Sequence, residues 1–138
     1  MYDSARKAVI SLTIKEVSEK YGISQDTLRY YERVGMLPEV PRTPGGIRNY
    51  GEAELGWVEL ALCMRAAGLP VEAMVEYVRL CQAGDATFAD RLRLLRGQRE
   101  KLLEQKRQIE ATIGRLDYKI SRYQLAVDTG KLTWEDSV

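Results

Sequence analysis

The sequence contains no histidine and only two cysteines, Cys63 and Cys81, among its 138 residues. Histidine is the commonest general base and metal ligand in proteins, so its absence argues against catalytic triads, histidine phosphotransfer and zinc catalysis. Two cysteines do not form the disulfide framework of a small secreted protein. We therefore expect no enzyme, no metal site and no cofactor, and we expect both thiols to be reduced.

Long apolar segments are also missing. The first twelve residues, MYDSARKAVISL, lack a sustained apolar run and a small-residue cleavage site, so we predict no signal peptide. No stretch reaches the length needed to span a bilayer, which predicts a cytoplasmic protein with no membrane partner. The net charge is only +1, so any surface that binds nucleic acid must be a local one.

What the sequence does contain is a series of helix signals. The segment TIKEVSEKYG begins with a capping box formed by Thr13 and Glu16, and it ends at a glycine. A second helix is predicted after Ser24 and runs to about Val34, before another glycine. Two short helices separated by a tight glycine-containing turn are typical of a helix-turn-helix motif.

The next segment, LPEVPRTPGGIRNY, holds three prolines and two glycines and is therefore not helical. Val40 before the turn, with Ile47 and Tyr50 after it, predicts a small two-stranded ribbon, or wing. Further helices are expected over residues 52–67 and from Pro70 to the glycine at position 84. Residues 13–84 are thus predicted to be a mainly helical winged helix-turn-helix head with four helices.

From residue 85 onward, apolar residues recur at alternating spacings of four and three over about five heptads. These positions are Phe88, Leu92, Leu95, Leu102, Ile109, Ile113, Leu116, Ile120 and Tyr123, interrupted by Arg99 and Lys106. A helix over residues 85–124 would be about 60 Å long at roughly 1.5 Å per residue. A helix of that length favours an intermolecular coiled coil over packing against its own head. Residues 1–12 are predicted to be an arm, and residues 125–138 a tail in which Trp134 packs.

The head carries side chains suited to DNA. In a winged helix-turn-helix domain the second helix enters the major groove, and the wing touches the flanking backbone. The second helix offers Ser24, Gln25, Thr27, Arg29, Tyr30 and Arg33, and the wing offers Arg42, Thr43, Arg48 and Tyr50. Arginines on both elements can straddle neighbouring phosphates. A head that only bound other proteins would leave the wing arginines unexplained.

The stretch TIKEVSEKYGISQDTLRYYERVGMLPEVPRTPGGIRNYGEAEL resembles the DNA-binding domain of the MerR family of bacterial transcription regulators. The signature LRYYERVGML, followed by a proline-bounded wing and RNY, carries the resemblance, which extends over about residues 13–124. It implies a homodimer held by an antiparallel coiled coil and bound to promoter DNA. The two elements of that promoter that RNA polymerase recognises are spaced too far apart. Activation then comes from bending and untwisting that DNA for RNA polymerase.

The resemblance also implies which residues contact DNA. Arg29 and Tyr30 match contacts of the recognition helix, and Arg42, Arg48 and Tyr50 match contacts of the wing. Tyr31 either contacts a phosphate or packs inward, because adjacent helical residues diverge by about 100°. Thr27 and Arg33 are further candidates, and their alternative is a solvated helix face.

The segment WVELALCMRAAGL resembles short AdhR/NmlR-like members of this family, which respond to aldehydes, other thiol-reactive electrophiles or nitrosative stress. The resemblance makes Cys63 the sensor, and a modification there is expected to add bulk between packed helices. The alternative is a regulator without cysteine-based sensing, because a free cysteine is usually a buried, inert small hydrophobe. Cys81 is taken as inert or auxiliary. The segment after Tyr123 has no cysteine or histidine, which argues against metal sensing.

Overall fold

The computed structural model describes residues 10–134, which belong to two compact units, Met1–Gln98 and Arg99–Val138. The helices are α1 (Ile14–Tyr21), α2 (Gln25–Val34), α3 (Glu52–Ala66), α4 (Val71–Gln82) and α5 (Phe88–Thr129), with a 3-10 turn at Asp85–Thr87. The prediction of a mainly helical protein with a long final helix is confirmed. Across residues 10–134, no helix has both the length and the apolar character that crossing a membrane requires.

The local signals place the ends of the first two helices. At the start of α1, the Glu16 amide donates to Thr13 Oγ1 at 3.2 Å, and the Thr13 amide donates to Glu16 Oε1 at 2.8 Å. At the start of α2, the Ser24 hydroxyl accepts the Thr27 amide at 3.0 Å. Each cap satisfies amides that have no partner inside the helix. Helix α2 ends at Gly35, whose φ of 89° lies in the left-handed region.

The core of the first unit is formed by one face of each of the helices α1 to α4 and by the end of the wing. Its largest fully buried side chains are Tyr50, Leu28, Met36, Met74, Val17 and Val58. Full burial of an aliphatic side chain of this size stabilises a fold by about 1.5–3 kcal/mol. Helix α2 is therefore anchored by its inward face, which leaves its other face available for binding.

The predicted two-stranded wing is wrong in one respect, because no strand forms within residues 10–134. In the wing, defined here as residues 40–50, Arg42 and Arg48 form an isolated antiparallel bridge. A second isolated bridge pairs Leu12 with Tyr50 at the base of the wing, through two backbone hydrogen bonds of 2.9 Å. The last residues of the predicted N-terminal arm are thus paired with the wing. Residues 1–9 lie outside the described part.

Proline and a competing side chain explain why the ribbon is not a sheet. The Asn49 amide donates to the Pro41 carbonyl at 2.7 Å, but Pro41 has no N–H with which to return the bond. The Thr43 amide donates to the Ile47 carbonyl at 2.7 Å, while the Ile47 amide donates to the Thr43 hydroxyl instead of its carbonyl. Each pair thus keeps only one of the two bonds of a regular ladder.

Helix α5 has 42 residues and continues five residues past position 124, where the prediction ended it. The next helix-breaking residue is Gly130, whose φ is 78°. We define the seam as the apolar positions Phe88, Leu92, Leu95, Leu102, Ile109, Ile113, Leu116, Ile120 and Tyr123. All of them except Leu102 are between 41% and 60% exposed in the single chain. The seam is therefore an apolar face that is about half exposed in one copy.

The segment after α5 in the second unit turns back along that helix. The Trp134 ring lies 6.1 Å from the ring of Tyr118 and 5.7 Å from that of Tyr123, and the Lys119 ammonium lies 4.9 Å from the Trp134 centroid. Arg122 Nε donates to the Thr133 carbonyl at 2.7 Å. The expectation that Trp134 packs is confirmed.

Replacing Gly35 with alanine tests the left-handed end of α2. An added Cβ would lie 3.6 Å from Val75 Cγ1, an ordinary contact, so the cost comes from the backbone and not from a clash. We expect Gly35→Ala to lower the free energy of unfolding by about 1 kcal/mol, measured by urea denaturation. The control Gly56→Ala lies inside α3 with open space around it and should stabilise the protein slightly. Equal effects of the two substitutions would contradict this account.

Candidate nucleic-acid interface

Helix α2 separates its predicted contact residues onto two faces. Arg29, Tyr30 and Arg33 are exposed, and the Tyr30 side chain is 39% accessible. Leu28 and Tyr31 are buried, and Tyr31 retains only 8% of its accessible surface. Tyr31 therefore packs inward, which is one of the two alternatives that the sequence left open. The two adjacent tyrosines thus have different positions: Tyr31 anchors the helix in the core, and Tyr30 faces outward.

The exposed arginines of α2 are held by weak local contacts. Arg29 Nη1 donates to Asp26 Oδ1 at 2.9 Å, and Arg29 Nη2 donates to Gln25 Oε1 at 3.2 Å. Asp26 is 95% exposed, and ion pairs at such positions contribute about 0–1 kcal/mol. The Arg33 guanidinium lies over the Tyr30 ring, 5.4 Å from its centroid. A phosphate can replace Asp26 as the partner of Arg29 at little cost.

Thr27 has a different environment from the arginines. Its amide and its hydroxyl both contact the Ser24 hydroxyl, and the two oxygens are 2.8 Å apart. The Thr27 side chain is only partly exposed. The hydroxyl is therefore engaged in the N-terminal cap of α2.

The two arginines of the wing are both tied down. Arg42 Nη1 donates to the Gly46 carbonyl at 2.8 Å, across the turn of the wing. Arg48 Nε donates to Glu32 Oε1 at 2.7 Å, and Glu32 Oε2 also accepts the Val40 amide at 3.0 Å. Glu32 is a residue that the sequence reasoning missed. A usable signal was its position next to Tyr31 and one turn after Leu28, on the inward side of a helix where an acidic residue needs a partner.

Tyr50 lies in the core and not on the surface of the wing. Its side chain is fully buried, and its hydroxyl has no hydrogen-bond partner within residues 10–134. Burial raises the pKa of this phenol, and the nearby charge of Arg48 opposes that rise. A hydroxyl without solvent access cannot reach a phosphate in this conformation. Tyr50 therefore supports the wing from beneath.

An open groove of about 710 Å³ lies between α2, the wing and α4. Arg29, Arg33 and Arg48 line it together with Arg79 of α4, and the acidic residues at its wall are Glu32 and Glu39. The fold thus brings three of the predicted arginines to one place, and it adds Arg79, which the sequence reasoning missed. Arg42 and Thr27 do not line this groove.

The two cysteines are free and differ in exposure. Cys63 is exposed on α3, and Cys81 on α4 is partly buried. In the single chain, Cys63 therefore does not occupy the buried position that the alternative of an inert thiol assumed. The expectation that a modification there adds bulk between packed helices does not hold within one chain. The nearby Arg65 donates to the Leu69 carbonyl at 2.9 Å, so it is not committed to the thiol.

Comparisons with known proteins agree with this geometry. Residues 13–50 match the profile of the MerR family regulatory proteins. The chain is 45% identical over 93 residues to the HTH-type transcriptional regulator AdhR of Bacillus subtilis, a match that covers 67% of this chain and 66% of that protein.

Two solved structures are similar over most of their length. A putative MerR family transcriptional regulator from Listeria monocytogenes is 40% identical, with a TM-score of 0.83, over 87% of this chain and 91% of that one. HiNmlR, described as a MerR family regulator lacking the sensor domain and bound to promoter DNA, is 30% identical with a TM-score of 0.77. That match covers 88% of this chain and 97% of HiNmlR.

Proposed function

Because this chain belongs to the MerR family of transcriptional regulators, we propose that it acts as a homodimer that distorts promoter DNA for RNA polymerase. The observation that carries the proposal is that Arg29, Arg33 and Arg48 line one groove, with the Arg33 guanidinium lying over the exposed ring of Tyr30. Phosphate contacts from such a cluster fix the register of a protein on the duplex. The crystal structure of HiNmlR, which is similar to this chain over most of its length, contains promoter DNA.

In this proposal each side chain has a role that follows from its surroundings. Helix α2 enters the major groove, with Arg29 exchanging Asp26 for a phosphate and with Tyr30 and Arg33 beside it. The wing contributes Arg42 and Arg48 to the flanking backbone. Three of the predicted contacts act indirectly: Tyr31 and Tyr50 fix the elements from the core, and Thr27 fixes the start of α2.

The exposed seam of α5 supports the homodimer. Eight of its large apolar side chains are about half exposed in one copy, which is the surface that a second helix with the same pattern would cover. The remaining question is the direction of the second helix. The two cations at seam positions, Arg99 and Lys106, decide it by their charge.

In a parallel, in-register pair, Arg99 would face Arg99 and Lys106 would face Lys106, and both contacts are repulsive. An antiparallel pair that aligns Phe88 with Val127 avoids this. Its layers are Leu92 with Tyr123, Leu95 with Ile120, Arg99 with Leu116, Leu102 with Ile113, and Lys106 with Ile109. The same alignment brings Arg96 of each copy close to Asp117 of the other. The charges therefore favour the antiparallel dimer, whose two heads bind the two halves of a near-palindromic operator and bend it.

A charge swap tests this register. Asp117→Arg places like charges opposite each other twice per dimer, so we expect dimer dissociation to become about tenfold easier. The double variant Arg96→Asp/Asp117→Arg restores opposite charges and should return the dissociation constant close to the original. Sedimentation equilibrium at low salt measures both. A double variant no better than Asp117→Arg would rule out this alignment.

The DNA interface is tested with the promoter fragment upstream of the gene. We expect Arg29→Ala to weaken specific binding about tenfold and to lower the salt dependence, because each head loses a phosphate contact. The control Arg93→Ala removes the same charge from α5, where Arg93 Nη1 pairs with Asp90 Oδ1 at 2.7 Å, and should change affinity less than twofold. Fluorescence anisotropy at several salt concentrations measures both variants. Absence of a specific complex, or equal losses in both, would refute the interface.

A finer proposal concerns what the regulator senses, and the exposure of Cys63 favours it. The Cys63 thiol loses its proton to solvent, and the thiolate sulfur bonds to the carbonyl carbon of an aldehyde. The electron pair of the C=O π bond moves to the oxygen, which takes a proton from solvent to give a hemithioacetal. Because the thiol faces outward, the added group acts on whatever covers α3 in the dimer or on DNA. The competing proposal is a regulator of the same kind without cysteine-based sensing.

Cys63→Ser distinguishes these two proposals. We expect it to abolish induction of a promoter reporter by an aldehyde, whereas Cys81→Ser should retain induction. In the purified protein, an alkylating reagent followed by mass spectrometry should label Cys63 faster than Cys81, because Cys81 is partly buried. Full induction of the Cys63→Ser variant would eliminate the sensing proposal and leave the DNA-binding proposal intact.

A further inference from the structure

We propose that Glu32 is a positioning residue that sets the wing, and Arg48 within it, against the recognition helix α2. The inference rests on the proposed binding of DNA. Both carboxylate oxygens of Glu32 are used: Oε2 accepts the Val40 amide at 3.0 Å, and Oε1 accepts Arg48 Nε at 2.7 Å. The Glu32 side chain is only 12% exposed and that of Arg48 only 20% exposed, so water competes weakly for these bonds.

The two bonds of Glu32 reach the wing on both sides of its turn. Val40 precedes the turn and Arg48 follows it, so one side chain of α2 ties down both arms of the loop. The wing does not fix its own direction through a sheet, because the pairing between its two arms is a single bridge of Arg42 with Arg48, and the bridge of Tyr50 with Leu12 holds only its base. The two hydrogen bonds of Glu32 therefore determine the angle between the wing and α2.

Glu32 also orients the guanidinium of Arg48. Because Nε is bonded to the carboxylate, the planar group is held with its two terminal nitrogens available, and neither has a hydrogen-bond partner within residues 10–134. Arg48 lines the groove that Arg29 and Arg33 share. A guanidinium that is already oriented loses less freedom when it binds a phosphate than a mobile one does.

The sign of the effect separates this role from simple electrostatics. A carboxylate beside the DNA repels phosphates, so charge alone predicts that removing Glu32 tightens binding. A positioning role predicts the opposite result, since Arg48 and the wing lose their orientation. Glu39 offers a matched control, because it is exposed, lines the same groove and makes no ion pair among the described residues.

The experiment compares Glu32→Gln and Glu39→Gln in the full-length homodimer on its upstream promoter fragment. Both variants lose one negative charge and keep a similar shape. We expect Glu32→Gln to weaken binding about tenfold and to reduce the salt dependence by about one phosphate per head. Glu39→Gln should bind as the unaltered protein does, or slightly tighter. Glu32→Gln binding at unaltered or greater strength overturns the inference.

A double-mutant cycle shows whether Glu32 acts through Arg48. In an Arg48→Ala background, Glu32→Gln should cause no further loss of affinity beyond about twofold. If Glu32→Gln costs the same factor in both backgrounds, the proposed route through Arg48 is wrong. Should Glu32→Gln fail to fold, as judged by circular dichroism, Arg48→Lys breaks the same bond from the other side and should lose affinity similarly.

A readout in the free protein keeps this inference separable from the proposed function. In a ¹⁵N–¹H correlation spectrum, the Arg48 Nε–Hε signal should be protected from exchange and should disappear in Glu32→Gln but not in Glu39→Gln. Lack of specific DNA binding by the unaltered protein would defeat the proposed function without moving this signal. An Arg48 signal unchanged by Glu32→Gln would defeat the positioning role itself.

Discussion

The shared carboxylate of Glu32 is the interaction on which the arrangement of the predicted DNA-facing elements depends. A helix and a loop that approach one duplex must keep a fixed angle, and a regular sheet usually provides that angle in a winged domain. Here Pro41 and the Thr43 hydroxyl each account for one missing bond of the backbone pairing, and the Glu32 side chain of α2 bonds to both arms of the wing instead. Tyr50 fills the space beneath, and its buried ring gives the base of the wing a rigid support.

A second constraint acts on α5. The seam runs along a helix of 42 residues and leaves a large apolar surface exposed in the single chain. Apolar patches of this kind mark interaction sites, and a second helix with the same pattern would match the seam. Arg99 and Lys106 lower the apolar character of the seam, so they reduce the stability of any dimer. In exchange they penalise the parallel pairing far more than the antiparallel one. Such polar seam residues specify direction at a cost in stability.

The sequence predicted what is decided within one turn of helix and missed what depends on distant partners. The capping box at Thr13 and the stop at Gly35 were predicted because their atoms are local. The wing was predicted as two strands, although Pro41 has no N–H to donate to Asn49, the residue opposite it. The burial of Tyr50 and the two hydrogen bonds accepted by Glu32 arise from contacts across the fold. A carboxylate in a predicted helix looks solvated until its partners are known.

The position of Cys63 limits how any signal from it reaches the DNA. The buried residues of α3, namely Leu55, Val58, Ala61 and Met64, recur at intervals of three along one face of the helix. At about 100° per residue, Cys63 points almost directly away from that face. A group added to the thiol therefore leaves the core of its own head undisturbed. Under the proposed function, the bend in the DNA can respond to Cys63 only if the outward side of α3 is covered in the dimer. The sensing proposal therefore depends on the geometry of the proposed dimer.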